Sequence, residues 1–241
     1  MKVVLEQDPV PIVKIIGARV KRALATPAVA NIARELRGCF ALASTTDPQS
    51  LTIHLDGETV RLCRGIDMLA LIVIHLDFNS DSKPRIENLW RHPKFALKVA
   101  KLLEPEHVPW IDAARQFWQL AHDYPGLPGS MTLQCTDQDR TLTLYYDLEE
   151  PRAAATAQGP DPDNIEIHGT ARVLSELFSG DKVLLEAAMK GDVRLFGNLK
   201  HAAALTSLTL QHLLGELNGP AAHKKQSNPV PQPAGPDHGH L

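Results

Sequence analysis

The 241-residue sequence predicts an α/β (α+β) fold: an antiparallel-rich sheet covered on one face by helices, present twice along the chain. Three observations predict it. Short runs alternate apolar and polar residues, as in SLTIHLD at 50–56, the period of a half-buried strand. Longer runs place apolar residues three and four apart, as at 110–123, the period of a helix with one buried face. Both kinds of run recur in the same order in the two halves.

Taken in order, residues 10–24 read as a helix with Ile12, Val13, Ile16, Val20, Ala23 and Leu24 along one side. Lys14, Lys21 and Arg22 lie on the other side with Arg19 at the border, a basic amphipathic pattern able to lie on an anionic membrane surface or to pack on the protein's own core. A second helix over 28–37 ends at Gly38, which suits a left-handed cap. Strands follow at 40–45, 50–56, 59–64 and 71–78, with turns marked by Asp47-Pro48 and Asp56-Gly57. A helix over 87–103 closes the half at Pro105. The second half reads as a helix at 110–123, strands at 131–135 and 141–147, and a proline-containing surface loop at 149–163. Then come a strand at 164–169, a helix at 171–178 and a helix N-capped by Asp181 and closed by Gly191. A strand at 193–196 and a long helix over 199–217 complete it. From residue 218 the composition turns to Gly, Pro, His, Lys and Gln, the signature of a disordered tail.

The halves align in detail. SLTIHLD at 50–56 matches TLTLYYD at 141–147, IVIH at 72–75 matches IEIH at 165–168, and RIENLW from Arg85 parallels RLFGNLK from Arg194. The first half is the shorter, lacking the two helices expected at 171–190. This gives four segments: a basic amphipathic helix (1–27), a reduced repeat (28–105), a full repeat (106–217) and the tail (218–241). Asn88 and Asn198, as repeat partners, are each expected to cap a helix.

Bulk properties exclude several functions. A formal charge of −3 argues against a general nucleic-acid binder. No run of 18 apolar residues is present, and Met1–Val10 lacks the apolar region of a signal peptide. Cys39, Cys63 and Cys135 form no CxxC pair and read as reduced cysteines of a cytoplasmic protein. No P-loop, GxGxxG, GxSxG or HExxH motif occurs, so no catalytic residue, cofactor or metal ligand set is assigned and a non-enzyme is expected.

The stretch NIEIHGTARVLSELFSGDKVLLEAAMKGDVRLFGNLKHAAAL at 164–205 resembles the second half of the sterol carrier protein domain. In that family a strand, a short helix, an acidic turn and another helix precede a glycine, a strand, a glycine and a closing helix. Leu174 and Leu177 stand for the first helix, Gly180-Asp181 for the turn, Leu184, Leu185 and Met189 for the second helix, and Gly191 and Gly197 for the glycines. The resemblance covers about 110–217 and reaches 28–103 only through the repeat.

It implies non-catalytic binding or transfer of a sterol, fatty acyl chain or isoprenoid between apolar walls. The candidate walls are Leu174, Leu177, Phe178, Leu184, Leu185, Met189, Leu205, Leu208 and Leu213. An accessory protein for a membrane-lipid or quinone-biosynthesis enzyme is the alternative, with residues 10–24 docking to membrane and a partner enzyme nearby. A second alternative is a metal-dependent enzyme. His54-x-Asp56 and His75-x-Asp77 each place His and Asp on one strand face, and adjacent strands would present four ligands.

Overall fold

The computed structural model describes residues 1–77, 83–104, 108–121, 124–145 and 164–217. The loop expected at 149–163 and the tail from 218 lie outside them. The described residues form two sheets, of six and four strands, and seven helices.

The first sheet holds β1 (Lys2–Leu5), β2 (Gly38–Ser44), β3 (Ser50–Leu55), β4 (Thr59–Arg64), β5 (Ile72–Leu76) and β6 (Arg85–Glu87), in the order β1-β4-β3-β2-β5-β6. Strand β1 runs parallel to β4 and β5 parallel to β2, and the other pairs are antiparallel. Helices α1 (Pro11–Ala23), α2 (Pro27–Glu35) and α3 (Pro93–Leu103) go with this sheet, and each opens with a proline in its first turn. Proline suits that place because its fixed φ is already helical and the missing N–H would have no helical partner there.

The second sheet holds β7 (Ser130–Cys135), β8 (Arg140–Tyr145), β9 (Asn164–Gly169) and β10 (Val193–Gly197), in the order β10-β9-β7-β8. With it go α4 (Trp110–Ala121), α5 (Ala171–Phe178), α6 (Leu184–Met189) and α7 (Leu199–Leu213).

The strand set β3-β2-β5-β6 recurs as β8-β7-β9-β10 with the same directions and the same register. Leu42 pairs with Leu51 and Ile74, and Leu133 pairs with Leu142 and Ile167. His75 faces Arg85 as His168 faces Arg194. These are the positions at which the two halves align in sequence. One cross-strand pair has exchanged its partners: Val73 opposite Glu87 becomes Glu166 opposite Phe196.

Each sheet keeps one face for a core. Phe40, Leu42, Leu51, Ile53, Leu62, Ile72 and Ile74 pack against α1 and α3, while Met131, Leu133, Leu142, Leu144, Ile165 and Ile167 pack against α4, α5 and α7. Trp110 and Trp118 are in the second core, where their indole N–H groups donate to the Gln138 side chain and to the Tyr145 carbonyl, each at 3.1 Å. A buried indole keeps its hydrogen bond this way.

Several expectations change. The helix expected from residue 87 starts at Pro93, because 85–87 pair with β5 as an edge strand. Asn88 is not the N-cap of α3, which is His92; it sits in the turn between β6 and α3 at φ 61°. Asn198 does cap α7, its side chain accepting from the Lys200 N–H at 2.9 Å. Asp181 does not cap α6, whose N-cap is Val183. Its carboxylate faces α1 instead.

Candidate functional site

Of the expected walls, Leu174, Leu177, Leu184, Leu205 and Leu208 are wholly buried, and Phe178 nearly so, its ring tilted against that of Phe117 at 5.3 Å. Leu213 is half-buried. All of these except Leu213 belong to the second core. Leu185 and Met189 lie outside it, 53% and 80% exposed. They are four apart on α6, so they share its outer face.

Helix α6 is short and held by few polar ties. Thr209 of α7 accepts from the Leu184 N–H through its hydroxyl at 3.0 Å, and Gly191 at φ 77° ends the helix. Across the end of α6 lies β10, where Phe196 is 49% exposed and Leu199, the next large apolar residue, 83%. Leu185 and Met189 thus leave apolar surface beside the buried wall residues, while Phe196 lies over His168 on the other face of the sheet, the two rings 4.7 Å apart. A cleft of about 480 Å³ also exists, but in the first half, lined by Val10–Ile12, Pro48–Ser50, Arg64 and Gly65.

Helix α1 belongs to the first core and also touches the second half. Its apolar side, Ile12, Val13, Ile16 and Val20, is buried in the first core, so membrane insertion of that side would first have to undock it. Its basic side meets the second half. The Arg22 guanidinium donates to the Gly180 carbonyl at 3.0 Å, to the Asp181 carboxylate at 3.4 Å and to the His212 carbonyl at 3.4 Å. Lys14 pairs with Glu216 at 2.7 Å. Gly180 and Gly215 have positive φ, and a Cβ on either would stand 2.7 Å from an atom of His212 or Ala18. Only glycine lets the chain approach this closely.

His212 lies within this seam, its ring 5.7 Å from Phe117. Burial pushes its pKa down to about 4 and the Arg22 charge adds to the effect, with the Phe178 carbonyl partly opposing. The folded chain therefore refuses a proton that the unfolded chain accepts near pH 6.5. This stability contribution is full above about pH 6.5 and is lost as pH falls towards about 4, with a span on the order of 3 kcal/mol. Urea denaturation at pH 7.0 and pH 4.5 will show a larger loss in the native chain than in His212→Gln.

The His-x-Asp pairs do not meet. Strand β2 lies between β3 and β5, so the two pairs are not on adjacent strands. Asp56 is turned into its own hairpin, accepting from the Glu58 and Thr59 N–H groups at 2.8 and 2.6 Å. His75 instead lies 3.1 Å from Glu87. His54 lies 3.6 Å from Asp67, a residue the sequence pattern did not single out.

The fold is thus a mixed α+β architecture with two register-matched sheets. Among solved structures, the chain is similar to a conserved hypothetical protein of Thermus thermophilus, described as a possible sterol carrier protein. The match has 16% identity and a TM-score of 0.23, covering 46% of this chain and 84% of that one. A likeness this weak carries no functional weight. No family profile and no curated protein matches the sequence. No helix among the described residues is long and apolar enough to cross a membrane.

Proposed function

We propose that the protein is a non-catalytic binder of a hydrophobic ligand, a sterol, fatty acyl chain or isoprenoid, held in the second half beneath α6. The observation that carries this reading is the exposed apolar face of α6, Leu185 and Met189, directly outside the buried leucines of α5, α6 and α7. A six-residue helix whose N-cap residue, Val183, gives no side-chain cap and whose first turn is tied by the Thr209 hydroxyl can be displaced at modest cost, opening an apolar slot between Leu184, Leu205 and Leu208. Methionine at the mouth adapts to ligands of different shape. Each methylene that enters contributes about 0.8 kcal/mol before the costs of binding.

The purified protein should carry lipid detectable by native mass spectrometry and take up a fluorescent fatty acid. Leu185→Asp and Met189→Asp will lower that uptake by roughly tenfold, the effect of about 1.4 kcal/mol, with unchanged circular dichroism because both side chains are exposed. An empty protein that refuses the probe would overturn the carrier reading and leave the accessory-protein alternative.

A further inference from the structure

We propose that the first half carries a divalent transition-metal site of the zinc type, built from Cys39, His54 and Asp67, which clasps the β4–β5 connection to the sheet. The observation is geometric: one donor atom from each residue, sulfur, ring nitrogen and carboxylate oxygen, lies within 4.8 Å of the other two. The inference is independent of the lipid reading, whose residues lie in the other half.

The fold explains the meeting. Cys39 and His54 are direct cross-strand partners in β2 and β3, on the sheet face turned away from the helices. Because β4 and β5 are separated by β3 and β2, the chain between them crosses that face as a strap. The strap is tied at three points. The Thr52 hydroxyl donates to the Gly65 carbonyl and accepts from the Asp67 N–H, both at 2.8 Å, and the Leu71 N–H donates to the Cys39 carbonyl at 2.8 Å.

These ties hold Asp67 over the Cys39–His54 pair. One carboxylate oxygen accepts from the Leu69 N–H at 2.9 Å, and the other points to His54 Nε2 at 3.6 Å. A carboxylate steadied by a backbone N–H is the outer support that metal ligands commonly have.

Bond lengths of about 2.0–2.3 Å put the ligands of a tetrahedral ion roughly 3.5 Å apart, so the strap must close by about 1 Å. Thiolate, imidazole and carboxylate together favour zinc or cobalt over magnesium or calcium, which take oxygen ligands. His54 and Asp67 side chains are about one-third exposed, leaving solvent to supply a fourth ligand. Arg61 faces His54 across β3 and β4 but is itself exposed and can turn outward.

Burial, with the Asp67 charge, pushes the Cys39 thiol up, so it stays protonated and releases one proton when the ion forms its sulfur bond. The repeat provides a comparison, because the second half builds the same strands with Ser130 and Tyr145 in place of Cys39 and His54. The fold therefore does not require this donor set.

The test is a Co2+ titration of the full chain carrying His223→Gln, His238→Gln, His240→Gln and Cys63→Ser, which removes tail and stray-thiol binding. The expected result is a thiolate-to-cobalt charge-transfer band saturating at one equivalent and displaced by Zn2+. Losing one ligand should cost more than the roughly 10–100-fold typical of an outer-shell partner, so the band at one equivalent disappears in His54→Ala and in Asp67→Asn. Those two side chains are part-exposed, and the variants remain informative should Cys39→Ser fold poorly. Absence of the band, or its persistence in both variants, would overturn the site.

Discussion

Phe117→Ala will lower the unfolding free energy by about 4 kcal/mol, the largest loss expected from truncating any single side chain of the second core. Phe117 is wholly buried where α4, α5 and α7 meet, with its ring 5.3 Å from Phe178 and 5.7 Å from His212. Truncation removes the transfer free energy of the ring and leaves a cavity whose walls, set by two sheet-anchored helices, relax only in part. The cavity would be lined by apolar atoms and so stay dry. Urea denaturation will show the lower midpoint, and benzene in the buffer will recover part of it in the variant but not in the native chain.

Arg22→Ala will cost about 2–3 kcal/mol and separate the unfolding of the two halves. The guanidinium serves the Gly180 and His212 carbonyls and Asp181 at once, and alanine leaves all three without it. Arg19 remains 3.9 Å from Asp181, a longer contact that cannot reach the two carbonyls in the same way. Lysine will restore little, since one ammonium cannot reproduce the planar fork. Differential scanning calorimetry will show one transition in the native chain and a broadened or double one in Arg22→Ala. The same substitution removes a charge that holds the His212 pKa down, so acid sensitivity will shrink as well. A single sharp transition with unchanged acid response would remove Arg22 from the seam.

The repeat was legible to the residue. Leu51, Thr52 and Ile53 occupy the register positions of Leu142, Thr143 and Leu144, because alternation on a half-buried sheet ties sequence position to face. Strand β6 was not legible, since three residues with one apolar side chain give no period to read, and the apolar spacing of α3 ran back over them. Strand β1 was missed for a similar reason: four residues before an acidic, proline-containing turn.

At the candidate sites the pattern located the helices of the second half but not which side chains would face out. Leu184 and Leu185 are adjacent in sequence, and α6 buries one and exposes the other. The grouping of Cys39, His54 and Asp67 depends on where the β4–β5 connection crosses the sheet, a matter of topology that local sequence does not encode. Asp181 carried a correct polar signal with the wrong partner, because helix-cap reasoning is local and Arg22 is 159 residues away.

That distance has a consequence during synthesis. Lys14 and Glu216 are 202 residues apart, an interval of about 10–40 s at ordinary translation speeds. The apolar side of α1 finds its place as soon as the first sheet has emerged from the ribosome, whereas its cationic side must wait for the far end of the chain. Throughout that interval the nascent protein displays Lys14, Arg19 and Arg22 without their eventual acidic partners, a transient cationic edge that the finished molecule takes back.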